Sequence, residues 1–144
     1  YLLATNGALF SPQGGLRISV RDLTVIGRLL LNRGRHEGER LMSEASIALL
    51  LSPQWIFDGD NGVTDNGFYC AYGLATQSLP IRVPGCRDDL LAGRALVGHA
   101  GDAYGLRSGL WIEQQSGRGI AYLSIGNGAD PPRGRDPRGP RRAR

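Results

Sequence analysis

The sequence predicts an α+β fold in which an antiparallel sheet is flanked by helices. Two stretches in the first half repeat apolar residues at helical spacing, and each follows a serine that suits a helix N-cap. The second half contains apolar runs separated by turn-forming residues, which is typical of strands. A hydrophobic content of 41% over 144 residues is enough for the core of one domain, which we assign to residues 1–128.

The first helix is predicted over 20–32, within the stretch SVRDLTVIGRLLLNRG. Ser19 and Asp22 form a capping-box pattern, in which side chains satisfy the unpaired N–H groups of the first turn. Gly34 follows the helix and suits a left-handed stop. The apolar face consists of Leu23, Ile26, Leu29 and Leu30.

A second helix is predicted over 44–51. Ser43 is its N-cap, Glu44 suits the positive end of the helix dipole, and Pro53 follows its end. Its apolar face consists of Ile47, Leu50 and Leu51.

Four strands are predicted in the second half of the chain. They lie at about 70–77, 95–99, 106–114 and 119–126. The last two are joined by QSGR, a hairpin connection in which Gly117 is available for positive φ. Apolar residues occupy both the alternate and the intervening positions of these two strands, so we expect helices on both faces of the sheet.

The segment 54–67 contains DGDNGVTDNG and is predicted to be a loop. Its acidic residues suggest calcium binding, but an EF-hand loop needs Gly at its sixth position and Glu at its twelfth. Counted from Asp58, these positions hold Val63 and Tyr69. A solvated loop is therefore favoured, and we expect neither a metal nor a cofactor.

The net charge of +4 belongs to the last residues of the chain. Residues 129–144 hold six Arg and two Asp, which leaves eleven Arg and eleven acidic residues in 1–128. This Pro-, Gly- and Arg-rich stretch contains no aromatic residue, so we expect a disordered tail rather than a nucleic-acid partner. No apolar run approaches the roughly 20 residues of a membrane span.

Cys70 and Cys86 lie 16 positions apart. Oxidised, they would close a loop that stabilises the fold by about 3 kcal/mol, which fits an exported protein. Two free thiols in a cytosolic protein would give the same pattern, so both interpretations stay open and the disulfide is favoured. A metal site is disfavoured, because neither cysteine has a second ligand at metal spacing.

His99 lies within GHAGDAYG, residues 98–105. It is either a histidine at a strand end that bonds to the backbone, or an imidazole to which Gly98 and Gly101 give a ligand access. Such an imidazole could exchange protons with a bound molecule at neutral pH. The other histidine, His36, lies in the charged connection NRGRHEGERL and is predicted to be solvated.

Two blocks of sequence carry a family resemblance. The first is SPQGGLRISVRDLTVIGRLLLNRGRHEGERLMSEASIALLLSP, and the second is YGLATQ followed by GHAGDAYGLRSGLWIEQQSGRGIAYLSIGNG. Together they resemble the C-terminal part of the serine β-lactamase-related family, which includes class C β-lactamases, D-Ala-D-Ala carboxypeptidases and related esterases. The resemblance covers most of residues 10–128 and implies an incomplete serine β-lactamase/DD-peptidase-like fold.

The resemblance implies covalent acyl transfer. In the family, the Ser of an S-x-x-K motif attacks a carbonyl. The Lys of that motif and the Tyr of a Y-x-N motif mediate the transfer of the serine proton. The third motif, [KH]-[ST]-G, falls here on His99, Ala100 and Gly101. By this resemblance His99 positions the substrate and tunes the electrostatics, Ala100 and Gly101 contact the substrate, and the backbone N–H of Asp102 is one oxyanion-hole donor.

Two departures from the family pattern matter. Ala100 stands where the family has Ser or Thr, which disfavours substrates bound through a carboxylate and favours esters or amides. All 17 basic residues are Arg, so S-x-x-K is absent, and no Tyr begins a Y-x-N motif. The expected partners are therefore a small-molecule or peptide-like substrate and the missing N-terminal half of the same domain.

We therefore expect the C-terminal fragment of a periplasmic or secreted serine hydrolase that is inactive alone. A cytoplasmic location stays open. The alternative is a non-catalytic ligand-binding module derived from the same fold.

Overall fold

A six-stranded antiparallel sheet is the central element of the structure. The computed structural model describes residues 16–103 and 105–126, and the predicted tail at 129–144 lies outside the described residues. In chain order the elements are α1 (Val20–Leu31), β1 (Arg35–His36), β2 (Glu39–Arg40), α2 (Glu44–Leu51), β3 (Trp55–Ile56), β4 (Ala71–Tyr72), β5 (Gln77–Leu79), β6 (Leu96–Ala103), β7 (Leu106–Glu113) and β8 (Arg118–Ser124).

The sheet joins β3 to β8 in sequence order, each strand pairing with the next, and β1 and β2 form a separate two-stranded sheet. This arrangement confirms a mixed α+β fold. Neither helix in the described part of the chain is long and apolar enough to cross a membrane.

Both predicted helices are confirmed. The Ser19 hydroxyl oxygen accepts a hydrogen bond from the N–H of Asp22 at 3.1 Å, and Ser43 caps α2 in the same way. Gly34 follows α1 with a φ of 86°, which favours glycine. A Cβ at Gly34 would also lie only 2.2 Å from the carbonyl oxygen of Met42, so the chain passes too closely there for any side chain.

The predicted strand over 70–77 is wrong. β4 and β5 are two short strands, and a tight turn between them is closed by the N–H of Gly73, which donates to the carbonyl of Thr76 at 2.7 Å. Ala75 takes a positive φ of 65° in this turn. A Cβ at Gly73 would lie 2.5 Å from the carbonyl oxygen of Ser52, so contact with the chain just after α2 requires glycine where the chain reverses.

The later strands agree more closely with the prediction. β7 and β8 form the expected hairpin. β6 is longer than the predicted strand over 95–99, because β7 pairs with it from Val97 opposite Ile112 to Ala103. His99 therefore lies inside a strand and not at its end. The predicted loop 54–67 also contains the short strand β3.

Two apolar clusters lie at the sheet. The first combines both helices with the sheet and consists of Ile47, Leu51 and Ile112, with Leu30, Leu31, Met42, Leu50 and Val97 packed against them. The second consists of Leu79, Leu96 and Trp111, with Phe68 and Ala100 packed against them. Since Trp111 and Ile112 are neighbours on one strand, their side chains lie on opposite faces. The expectation of helices on both faces is wrong: both helices pack on the face of Ile112, and loop and strand residues form the second cluster.

A disulfide between Cys70 and Cys86 lies among these loops, with its Cα atoms 6.1 Å apart. It links the residue before β4 to the connection between β5 and β6. In the same connection the buried Asp88 accepts the backbone N–H of Ile81 at 2.9 Å. The predicted disulfide is thereby confirmed, and it cross-links these two segments.

Candidate active site

The segment that carries the third-motif resemblance lies on β6, where this strand extends past its neighbour. β5 begins at Gln77, which pairs with Gly98, so no β5 residue pairs with residues 99–103 of β6. Gly98 is buried, His99 and Asp102 are exposed, and Ala100 and Gly101 are half-buried. The candidate site residues are thus on one accessible stretch of backbone.

The His99 ring has two hydrogen-bond partners. Its Nε2 contacts the hydroxyl of Tyr72, and its Nδ1 contacts the carbonyl oxygen of Ala100. The rings of Tyr72 and His99 meet edge to face, with centroids 5.6 Å apart and planes at 83°. The imidazole is therefore exposed to solvent and yet held in one orientation.

Tyr72 is the residue that sequence reasoning missed. It does not begin a Y-x-N motif, and only its place at the start of YGLATQ pointed to it. In the structure it belongs to a row of aromatic rings: Tyr69 and Tyr72 have centroids 5.8 Å apart, and Phe68 and Tyr69 have centroids 4.9 Å apart. Burial and, to a lesser extent, the neighbouring Tyr69 raise the pKa of the Tyr72 phenol above its usual range.

The two glycines have a different role from the one the sequence suggested. A Cβ at Gly98 would lie 2.0 Å from the carbonyl oxygen of Leu110, and a Cβ at Gly101 would lie 2.4 Å from the hydroxyl oxygen of Ser108. Both neighbours belong to β7. At Gly98 the lack of a side chain therefore allows the β6 and β7 backbones to approach closely, whereas at Gly101 the space is occupied by the end of the Ser108 side chain.

The remaining two site residues differ in environment. The Ala100 methyl group packs against the cluster that contains Trp111. The Asp102 carboxylate lies 3.6 Å from Nε of Arg107, its partner on β7, and is 68% exposed. An ion pair this exposed contributes little to stability. What Asp102 offers to the site is therefore its backbone amide and an exposed side chain.

The other titratable groups singled out from the sequence lie away from β6. His36 is on the two-stranded sheet, 3.9 Å from the carboxylate of Glu37. One carboxylate oxygen of Asp58 accepts the backbone N–H groups of Asp60 and Asn61 at 3.0 Å each, which is an ordinary use of Asp in a turn. Within 16–103 and 105–126, no three His, Cys, Asp or Glu side chains are grouped to hold a metal.

A cavity of about 460 Å³ opens between the two helices and not at β6. Its lining includes Leu30, Leu31, Ile47, Ala48, Leu51 and Gln114. None of the residues 98–102 lines it, so the cavity and the candidate site are separate features.

Comparison with known proteins gives no match: no family model, no curated protein and no solved structure is similar to the chain. The resemblance to the serine β-lactamase-related family therefore rests on the motifs alone.

Proposed function

We propose that this chain is the C-terminal part of a serine hydrolase that cleaves esters or amides through an acyl-enzyme, with a β-lactamase-related fold. The observation that carries the proposal is the position of His99. It is exposed on β6 just beyond the position that pairs with the first residue of β5, and its ring is oriented by Tyr72 and by a backbone carbonyl. An imidazole held in this way can position a substrate at a cleft wall.

The proposed chemistry uses groups from two segments, the preceding part of the domain and this chain. A serine from the preceding part of the domain attacks the substrate carbonyl, and its proton passes to a base of the same segment. The bond from the serine oxygen to the acyl carbon forms as the ester C–O or amide C–N bond breaks, and the alcohol or amine leaves with the proton that the base held. Water then hydrolyses the acyl-enzyme, which releases the acid and restores the serine hydroxyl. The N–H of Asp102 and the N–H of the serine stabilise the oxyanion, a contribution of about 3–4 kcal/mol per donor to the transition state.

Two features support the finer points of the proposal. Because position 100 is alanine, it has no hydroxyl for a substrate carboxylate, and its methyl group packs on an apolar cluster. This favours esters and simple amides over β-lactams. The disulfide between Cys70 and Cys86 supports an exported protein, because disulfides persist in oxidising compartments.

The test uses the coding sequence that precedes Tyr1. We expect it to encode S-x-x-K and Y-x-N, and we expect the extended protein to show a burst of p-nitrophenol from p-nitrophenyl acetate. His99→Ala in the extended protein should lower kcat/KM, whereas His36→Ala is the matched control and should not. A burst from residues 1–144 alone would overturn the proposal, and so would a preceding sequence without both motifs.

The alternative is a ligand-binding module without catalysis. It is favoured by one observation: the chain has no lysine and hence no S-x-x-K, yet it forms the Tyr72–His99 contact. If the module is correct, peptidoglycan fragments will shift the NMR signals of residues 98–102 in the chain alone. If the hydrolase is correct, such shifts will require the extended protein.

A further inference from the structure

Tyr72 and His99 are 27 positions apart in the chain and meet only because of the strand order. We propose that Tyr72 is the positioning residue of the site, whose hydroxyl donates to Nε2 of His99 and holds the imidazole as the Nδ1–H tautomer. No sequence motif assigns this role to Tyr72.

The proton positions follow from the partners of the ring. A backbone carbonyl oxygen only accepts, so the contact between Nδ1 of His99 and the carbonyl of Ala100 requires a proton on Nδ1. In a neutral imidazole the other nitrogen then has a lone pair and accepts. In the neutral ring, the Tyr72 hydroxyl is therefore the donor in its contact with Nε2.

The strand pairing explains why Tyr72 reaches this nitrogen. β5 starts opposite Gly98, so the position beside His99 on that side is not taken by β5. Tyr72 on β4 pairs with the first residue of β5, and its ring extends to the imidazole. The Tyr69 ring lies against the Tyr72 ring, with centroids 5.8 Å apart.

The hydrogen bond changes which polar group of the site a bound molecule would meet. With Nε2 engaged, the imidazole does not offer a free lone pair, and the polar group next to it is the Tyr72 hydroxyl. The phenol is a neutral donor at neutral pH, because its usual pKa is about 10 and burial raises that pKa further. One consequence rests on the proposed function: in a hydrolase, the Tyr72–His99 pair and not the bare imidazole would face the substrate.

The test is a long-range ¹H–¹⁵N NMR spectrum of the histidine side chains in residues 1–144, where His36 is an internal reference. We expect His99 to carry its proton on Nδ1. Tyr72→Phe should move the Nε2 signal of His99 toward that of an unbonded ring nitrogen. Tyr69→Phe, the matched loss of a neighbouring hydroxyl, should leave it in place.

Chemical modification gives a second readout. Diethyl pyrocarbonate reacts with a free imidazole lone pair, so Tyr72→Phe should raise modification of His99 relative to His36 by about two- to tenfold, the range of one hydrogen bond. Circular dichroism checks that the variant is folded. A wild-type His99 protonated on Nε2, or no change in either readout for a folded Tyr72→Phe, would overturn the inference. Neither measurement needs hydrolysis, so an inactive extended protein would count against the proposed function alone.

Discussion

One face of the sheet is covered by α1 and α2, and the other is covered by loops. On the helix face, Ile112 packs against apolar side chains of both helices. On the loop face, Trp111 belongs to a cluster with three strand residues and Phe68, and the Cys70–Cys86 disulfide links two of the loops. Helices satisfy their own backbone groups and can offer a purely apolar surface, whereas loops must be held by cross-links and polar side chains.

The loop face also contains imperfect polar contacts. Gln77 is fully buried, and its amide N–H donates to the carbonyl of Phe68 at 2.5 Å. Its carbonyl oxygen and the indole N–H of Trp111 have no hydrogen-bond partner within the described residues. The two faces therefore differ in how completely their polar groups are satisfied. Four changes compare what each face contributes to stability.

The largest effects are expected from truncating the two central side chains. Trp111→Ala should cost about 3–5 kcal/mol of unfolding free energy and Ile112→Ala about 2–5 kcal/mol, because each leaves a cavity in a core that is 3% or less exposed. Urea unfolding followed by circular dichroism measures both. Trp111→Phe should cost clearly less than Trp111→Ala, because phenylalanine refills most of the space, while both variants remove the unpaired buried indole N–H. A cost below about 1 kcal/mol for either alanine variant would contradict the place of that side chain in its apolar cluster.

Breaking the disulfide comes next. The double variant Cys70→Ser/Cys86→Ser should lose about 3 kcal/mol, because the unfolded chain regains the freedom of a loop of 16 residues. Hydrogen exchange should speed up in the loops more than in α1 and α2. Dithiothreitol should destabilise the wild type and leave the double variant unchanged; equal sensitivity of both would show that the disulfide does not form.

A smaller loss is expected at Asp88. This residue is 2% exposed and accepts the N–H of Ile81, so Asp88→Ala should cost about 1–3 kcal/mol by leaving that donor unpaired. Asp88→Asn retains an acceptor oxygen and should cost less. If both variants lose the same free energy in urea unfolding, the hydrogen bond is not what Asp88 contributes.

The smallest effect concerns the pH dependence of stability. The Ser116 hydroxyl and then the Arg94 guanidinium, 2.8 Å away, hold the pKa of the Glu113 carboxyl below its ordinary value. A carboxyl whose pKa is lower in the folded state stabilises the fold above its unfolded pKa of about 4.3 and loses this contribution as the pH falls through the folded value.

Glu113→Gln should therefore flatten the loss of unfolding free energy between about pH 5 and about pH 3. Glu39→Gln, which removes one exposed carboxylate on β2, is the control for net charge. Identical slopes for the wild type and Glu113→Gln would rule out the contribution.

Local signals explain which parts of the fold could be predicted. The two helices follow from their serine caps and their apolar spacing, and the β7–β8 hairpin follows from its turn residues, since each of these depends on neighbours in the chain. The β4–β5 turn was missed, because its glycine is required by contact with the chain after α2. The end of β6 was misplaced for a similar reason. Glycines disfavour a strand, but pairing with β7 extends β6 through them to Ala103.

The candidate site shows the same division. His99 was recognisable from its setting among glycines and from the motif resemblance, and both are properties of a short stretch of residues. Tyr72 was not, because nothing near it in the chain contains its partner. Sequence alone thus determined the helices, the hairpin and the choice of His99 as a candidate, all of which depend on residues a few positions apart. Tertiary structure decided which face the helices cover and which hydroxyl meets the imidazole, because those contacts join residues that only strand pairing brings together.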